Sequence, residues 1–217
     1  MTEAEWLACD DTLAMLSIVG RGGSERKLCL LGCAWWRRAF GRDAVAPILR
    51  VVEVVEQVAD GRVSHKGLRE ALASMYEEVD AEDSADAASG GAGAERWAAR
   101  CVTAILTDRG AWGNRMWWGA SVLSDRRRAV LIRCVFGNPF RPAALDPALR
   151  TPTVASLALA AYQERHLPAG ALDPQRLSVL ADALEEAGAD PAIVYHLRGE
   201  GPHVRGCHVV DLVLGKS

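Results

Sequence analysis

The sequence predicts an all-α globular protein built from many helices, and three observations lead to this prediction. Apolar residues recur at helical spacing along most of the 217 residues, polar capping residues precede these stretches, and glycine or proline follows them. Half of the residues are hydrophobic and 24% are charged, as in an ordinary globular protein. A chain of this length buries about 70% of its unfolded surface on folding, so a core can form without disulfides.

Three helices are predicted in the first forty residues. Thr2 and Glu5 have the spacing of a capping box, and the Asp-Asp pair at 10–11 can cap a second helix. Ser24 precedes the third helix, over 25–40, in which two apolar stripes lie side by side. Such a wide apolar face predicts burial on more than one side of this helix.

A core helix and a further helix are predicted between residues 43 and 79. In the segment from Asp43, polar residues recur on one helical face and almost everything between them is Val, Ile, Leu or Ala. The valine-rich middle also fits a buried strand, but the length and the spacing of the polar positions favour a helix that ends at Asp60-Gly61. Ser64 can cap the next helix, which extends to about Val79.

The composition changes between Glu77 and Ala94, where acidic residues alternate with Ala and Ser and are followed by a glycine-rich run. Such a segment cannot bury enough apolar surface to become ordered. We therefore predict an N-terminal helical half over 1–79, a flexible acidic linker over 80–94 and a C-terminal helical half over 95–217. The two halves are expected to fold together as one unit.

The C-terminal half is predicted to hold helices over about 95–107, 124–136, 152–166 and 174–187. Thr-Pro and Asp-Pro pairs mark the starts of the last two, because proline is favoured at the first helical position. A further Asp-Pro pair, Asp190-Pro191, begins a short helix. The last segment, 204–214, fits either a helix or a strand, and helix is favoured.

The charge balance excludes a general binder of polyanions. The chain has 25 Lys and Arg against 28 Asp and Glu, so no global field favours nucleic acid or anionic lipid. The N-terminus lacks the basic and apolar regions of a signal peptide, and no stretch of about 18 uninterrupted apolar residues occurs. We expect a cytoplasmic protein without membrane association, whose six cysteines are free thiols.

Cysteine and histidine provide one candidate metal site. Cys29 and Cys33 share a helical face, and His203, Cys207 and His208 offer further donors near the C-terminus. If the two ends of the chain met, these residues would form a Cys/His zinc site. The sequence contains no Cys-x2-Cys spacing of the kind typical of zinc sites. Apolar packing is therefore the favoured interpretation, and no metal or other cofactor is predicted.

No catalytic residue can be assigned from the sequence. Cys101 or Cys207 could form a nucleophilic pair with any of the five histidines, but nothing in the sequence fixes such a pair. Neither a Gly-x-Gly-x-x-Gly loop nor a Walker loop occurs. Basic runs at 35–38 and 126–128 lie near tryptophans, a combination that can bind nucleic acid. Nearby acidic residues favour a solvated face or intramolecular ion pairs instead.

Four strings in the sequence are distinctive, namely MTEAEWLACD at the start, FGNPFRP at 136–142, LADALEEAG at 180–188 and GPHVRGC at 201–207. Together they resemble a large paralogous family of uncharacterised planctomycete proteins, and the similarity covers nearly the whole chain outside the linker. The third string is also similar to a helical segment that accompanies leucine-rich repeats in related bacteria, which implies a partner-binding context. Members often have Cys-Cys-Arg-Arg at 35–38, where this chain has Trp-Trp-Arg-Arg, and this departure argues against a shared metal site.

These observations favour a non-enzymatic helical module that binds another protein. The turns at 138–142 and 202–205 place aromatic or basic groups on loops, where recognition residues commonly lie. The candidate contact residues are Asn138, Phe140, Arg141, His203 and Arg205. The alternative is that both are tight turns with a purely structural role, which is to hold helices together. The alternative functions are a Cys/His metal-binding or thiol enzyme and a nucleic-acid-binding regulator.

Overall fold

The structure is a computed structural model in which residues 1–20, 24–42, 44, 46–86 and 123–216 are described. Helices dominate this part of the chain, which confirms the predicted all-α class. The α-helices are α1 Glu3–Ala8, α2 Thr12–Val19, α3 Glu25–Phe40, α4 Ala46–Ala59, α5 His65–Asp86, α6 Asp125–Phe136, α7 Pro152–Gln163, α8 Pro174–Glu186, α9 Pro191–Arg198 and α10 His208–Leu214. The other elements are a 3-10 helix over Pro147–Leu149 and the strands β1 Arg165–His166 and β2 Ala171–Leu172.

The chain divides into two compact units. The first unit combines Met1–Lys27 with Asp125–Ser217, and the second unit is Leu28–Ser124. The first unit thus joins residues from both ends of the sequence, a grouping that differs from the predicted sequential halves. The flexible linker stays a prediction, because α5 continues to Asp86 and residues 87–94 lie outside the described ranges.

The N-terminal helices of the first unit begin where their capping residues predict. Thr2 Oγ1 accepts a hydrogen bond from Glu5 N at 3.3 Å, and Glu5 Oε2 accepts one from Thr2 N at 2.7 Å. These two bonds complete the capping box. Asp11 caps α2 by accepting two backbone N–H bonds. Trp6 of α1 is fully buried, and α2 packs against α6.

Helices α7 to α10 form the main core of the first unit. α8 packs against α7 and α9, and α10 packs against α7. Their apolar stripes supply fully or almost fully buried side chains, among them Tyr162, Leu177, Leu180, Leu184, Ile193 and Val209. The last segment, which the sequence left open between helix and strand, is a turn followed by α10.

A short β-hairpin replaces the end of one predicted helix. The helix predicted over 152–166 ends at Gln163, and β1 then pairs antiparallel with β2. Proline disfavours helix in the residue that precedes it, and Pro168 follows shortly in this segment. Gly170 adopts a φ of 73° in the connecting turn, a value that glycine tolerates without strain. The second strand, β2, is hydrogen-bonded to the turn that contains His203.

Helix α3 begins and ends where the sequence predicts. In the second unit, α4 packs against α5. α5 extends beyond the predicted end at Val79. The apolar core comprises Cys33, Trp36, Ile48, Val51, Val52, Val55, Leu68 and Met75. The helix predicted over 95–107 and the aromatic stretch after it lie outside the described residues. Within the described residues, no helix is both long and apolar enough to cross a membrane.

Candidate metal centre

Four cysteine and histidine side chains converge in the first unit. They are Cys134 near the end of α6, His196 in the last turn of α9, His203 in the turn that follows, and Cys207 at the start of α10. One sulfur or nitrogen atom from each lies within 4.8 Å of the corresponding atom of every other. We refer to these four residues as the Cys/His centre.

Cys134 reaches the centre because of its place on the buried face of α6. Leu131 and Val135, on either side of it in the helical pattern, are both almost completely buried, and Cys134 itself is 3% exposed. The helix ends at Gly137, which has a φ of 69°. A Cβ atom at this glycine would lie 2.8 Å from Cδ2 of His208, so the absence of a side chain lets α6 approach the histidine.

His196 is positioned by the short helix α9. Asp190 caps this helix and Pro191 occupies its first position, so the predicted Asp-Pro start is confirmed. Ile193 and Leu197 bury the apolar face of α9. His196 is one turn after Ile193 and therefore shares its side of the helix, which directs the imidazole toward the interior.

His203 and Cys207 belong to a turn that is attached to the hairpin. His203 O accepts a hydrogen bond from Leu172 N of β2 at 2.8 Å, and Cys207 N donates to Val204 O at 2.9 Å. Gly201 has a φ of 68°, and a Cβ there would lie 2.9 Å from the backbone nitrogen of His203. Cys207 occupies the N-cap position of α10 but makes no side-chain capping bond. Its sulfur lies instead among the other donors of the centre.

Two separations between donor atoms are close to those of a tetrahedral zinc site. Zinc with Zn–S bonds of about 2.3 Å and Zn–N bonds of about 2.0 Å keeps its ligand atoms about 3.3–3.8 Å apart. His196 Nε2 lies 3.3 Å from Cys207 Sγ, and His203 Nδ1 lies 3.9 Å from Cys134 Sγ. Two thiolates and two imidazoles are a donor set that zinc prefers.

The hydrogen bonds around the centre set the orientation of its histidines. His203 Nε2 lies 3.3 Å from Gly199 O, so an N–H at Nε2 can donate to this carbonyl. Nδ1 then carries the lone pair and faces the sulfur atoms, as a metal ligand requires. His208 lies just outside the centre, with Nδ1 2.9 Å from Cys134 O and its ring edge-on to His196 at 4.2 Å between centroids.

The pKa values of the two thiols are shifted in opposite directions. Burial alone raises the pKa of the Cys207 thiol, but hydrogen bonds with Cys134 and His196 outweigh it and bring this pKa well below its ordinary value. The hydrogen bond to Cys207, together with burial, raises the pKa of the Cys134 thiol. A buried group of this kind favours a divalent cation, which would compensate the charge of both sulfurs once they are deprotonated.

The sequence-predicted metal candidates separate into two sets. His203 and Cys207 belong to the centre, and His208 supports it from outside. Cys29 and Cys33 lie in the apolar core of the second unit, in agreement with the favoured interpretation of these two residues. The prediction of apolar packing does not describe Cys207, because the side chains that meet its sulfur are polar.

Sequence reasoning did not connect Cys134 and His196 to this site. His196 was considered only as one of five possible partners for a thiol nucleophile, and Cys134 carried no prediction. The local signal that could have found part of the site is His196-x6-His203-x3-Cys207, three metal-binding residues within twelve positions. No short-range pattern identifies Cys134, since it is 62 residues before His196.

The centre also tests the idea of a thiol nucleophile. Cys207 does meet two histidines, but its side chain is fully buried. A nucleophilic cysteine must be accessible to its substrate. This placement therefore favours metal binding over covalent catalysis by Cys207, while Cys101 lies outside the described residues.

The candidate contact residues are placed unequally. Phe140 is 42% exposed, and the Arg141 side chain is largely exposed beside Glu3. Asn138 Nδ2 donates to Glu3 Oε1 at 2.8 Å, so this amide is used within the unit.

The turn at 202–205 does not present its side chains to solvent as expected. His203 is 7% exposed and Arg205 is 6% exposed. The guanidinium carbon of Arg205 lies 5.4 Å from the centre of the Tyr162 ring, a cation–π contact that holds this side chain inside. The turn is buried because it carries His203 of the Cys/His centre and is hydrogen-bonded to β2.

Arginines of the two basic runs form intramolecular ion pairs, as the sequence analysis favoured. Arg37 is buried and binds Glu53 and Glu56 at 2.9 Å each. Arg128 is buried and pairs with Asp125 at 2.5 Å. Arg37 and Arg128 are therefore not available to bind phosphate groups.

Comparisons with protein-family models, with curated proteins and with solved structures find no match. The resemblance to the planctomycete family stays a prediction, and the functional argument depends on the geometry of the centre.

Proposed function

We propose that this protein binds one zinc ion through Cys134, His196, His203 and Cys207, and that the ion has a structural role in the first unit. The observation that carries this proposal is the convergence of four donor atoms within 4.8 Å. No second cluster of this kind occurs in the described part of the chain.

The ligand count supports a structural site. Zinc sites with four protein ligands are closed, whereas catalytic sites keep one position for water or substrate. Three of the four ligands are more than nine-tenths buried, and none comes from the same helix as another. An ion held this way would join α6, α9, the following turn and α10. This role agrees with the hypothesis of a non-enzymatic protein, and its interaction partner stays a prediction.

The experiment is a metal analysis of tag-free protein, because a histidine tag would itself bind zinc. We expect close to one zinc per chain by inductively coupled plasma mass spectrometry. Replacement of zinc by cobalt should give the visible absorption of tetrahedral cobalt together with thiolate charge transfer. Absence of tight zinc binding after reconstitution would overturn the proposal.

Variants identify the ligands. Cys134→Ser, His196→Ala, His203→Ala and Cys207→Ser should each reduce zinc content strongly. Cys33→Ser and His166→Ala are the controls, since one is a buried cysteine of the second unit and the other an exposed histidine of the hairpin. Both controls should retain the wild-type zinc content. Retention of zinc in Cys134→Ser and His196→Ala would show that the ligand set is wrong.

A further inference from the structure

A cavity of about 600 Å³ lies against the Cys/His centre within the first unit. Its walls come from α1, α6, the loop over 137–144, α9 and the turn over 199–203. Many of its lining side chains are apolar, including Leu7, Val130, Pro142 and Ile193. Small-molecule sites in proteins are commonly of this size and have mostly apolar walls with a few directed polar groups.

Arg133 is a charged hydrogen-bond donor on the cavity wall. Arg133 uses Nε and Nη2 for the carbonyl oxygens of Trp6 and Cys9, which leaves Nη1 without a hydrogen bond in the described part of the chain. A guanidinium N–H without a protein acceptor beside a largely apolar cavity can donate to an acidic group of a ligand.

The charge on this wall is positive where Arg133 lies. The hydrogen bonds of Arg133 go to neutral carbonyl groups. Asp10 interacts electrostatically with the Arg133 charge without a hydrogen bond to it. Two acidic residues line the cavity. One of them, Glu3, accepts a hydrogen bond from Asn138, and its Oε1 lies 3.5 Å from Arg141 Nε. The other, Asp190, accepts a backbone hydrogen bond at the start of α9. Among the described residues, Arg133 therefore gives this wall a positive charge that has no hydrogen-bonded carboxylate.

We infer that this cavity binds a small organic acid whose carboxylate accepts hydrogen bonds from Arg133 and whose apolar or aromatic body fills the rest of the space. A guanidinium is cationic and carries only hydrogen-bond donors, so a carboxylate can pair with it and a cation cannot. The size and apolar walls select an acid with a hydrophobic body over an inorganic anion. Cys134, His196 and His203 also line the cavity, so the acid would lie beside the zinc site.

This inference does not depend on the proposed zinc site, because Arg133 lies outside the ligand set. Zinc content is measured on every sample, and binding is tested on zinc-loaded and chelated protein. Loss of zinc binding with retained acid binding would contradict the proposed function alone, and the reverse result would contradict this inference alone.

The test uses isothermal titration calorimetry with three probes, phenylacetate, indole-3-acetate and octanoate, and with phenylacetamide as the neutral counterpart. We expect at least one acid to bind and phenylacetate to bind at least tenfold more tightly than phenylacetamide. Arg133→Gln should remove this preference. Equal binding of phenylacetate and phenylacetamide, or no binding of any of the three acids at millimolar concentration, would overturn the inference.

A second variant keeps the test valid if Arg133→Gln unfolds the protein. Ala192 lines the cavity yet is exposed on α9, so Ala192→Trp should obstruct the cavity without disturbing the core. Val179→Trp is the control, since Val179 is 51% exposed on α8 and does not line the cavity. Acid binding should fall at least tenfold in Ala192→Trp and stay unchanged in Val179→Trp. Equal binding by the two folded variants would place the site elsewhere.

Discussion

The two units of the molecule use cysteine pairs in opposite ways. In the second unit, Cys29 and Cys33 lie one helical turn apart on α3 and pack among apolar side chains. The hydrogen bond to Cys29 and burial both raise the pKa of the Cys33 thiol, so this thiol stays protonated. In the first unit, Cys134 and Cys207 come from distant parts of the chain and meet two histidines.

This difference shows that close spacing in the sequence is weak evidence for a metal site. Two cysteines on one helical face are as well suited to a hydrophobic core as to a metal. Convergence of thiols and imidazoles from separate elements is more informative, because burying several polar groups together is unfavourable unless they satisfy one another or bind an ion. Removal of zinc and substitution of single residues can test whether only the pair in the first unit binds a metal.

The largest effect is expected from removing zinc from the first unit. A ligand that binds only the folded state at 1,000 times its dissociation constant stabilises it by about 4 kcal/mol. Chelation should therefore lower the thermal midpoint of the wild-type protein clearly in differential scanning calorimetry. The same treatment should leave the midpoint of Cys207→Ser unchanged, because that variant has no zinc to lose. A chelation effect of equal size in both proteins would contradict a metal centre at Cys207.

The second unit should instead depend on its buried ion pair. The side chains of Arg37 and Glu56 are 2% and 3% exposed, and Arg37 Nε donates to Glu56 Oε1 at 2.9 Å. Removing one charge of a buried pair costs about 3 kcal/mol or more, because the other charge is left uncompensated. Glu56→Gln should show this loss in urea unfolding both before and after chelation. A loss that disappears on chelation would mean that the second unit also depends on a metal.

An intermediate effect is expected where glycine packs against the centre. Gly137 and Gly188 both have positive φ values, of 69° and 83°. Alanine at either position adds about 1–2 kcal/mol of backbone strain. At Gly137 the new Cβ would also lie 2.8 Å from His208, whereas nothing lies within 4 Å at Gly188.

Gly137→Ala should therefore destabilise the protein more than Gly188→Ala in urea unfolding, and zinc affinity measured by chelator competition should fall in Gly137→Ala alone. The second variant is a control for backbone strain in the same unit. Equal zinc affinity in the two variants would show that the packing of Gly137 on His208 does not support the centre.

The helices could be predicted from the sequence because their signals are local. The Thr2 capping box, the Asp190-Pro191 start and the bounds of α3 each depend on residues within a few positions of one another. The hairpin after Gln163 was missed because the helical pattern continues into it, and only the effect of Pro168 marks the end. Strands this short give almost no periodic signal.

The Cys/His centre could be predicted only in part. His203 and Cys207 were singled out as possible metal donors close together near the C-terminus. Cys134 needed the tertiary packing of α6 on α10, which neither composition nor spacing reveals. The strings FGNPFRP and GPHVRGC were noticed as distinctive, and the structure shows that Gly137 and Gly201 within them pack against His208 and His203. Their role as packing sites becomes visible only when the two strings are brought together.

The smallest effect is expected from the cysteine of the second unit. Cys33 is 3% exposed in an apolar core, and truncating a small buried thiol should cost about 1 kcal/mol. Cys33→Ala should therefore unfold at slightly lower urea concentration with its zinc content unchanged.

Cys134 is equally buried, so Cys134→Ala removes a side chain of the same size at the same exposure. If the centre binds zinc, Cys134→Ala loses the ion and several times more stability than Cys33→Ala. After chelation of both proteins, the two losses should become similar, since only the packing contribution of each thiol then remains. A persistent excess loss in chelated Cys134→Ala would assign the stability of the centre to its hydrogen bonds rather than to a metal.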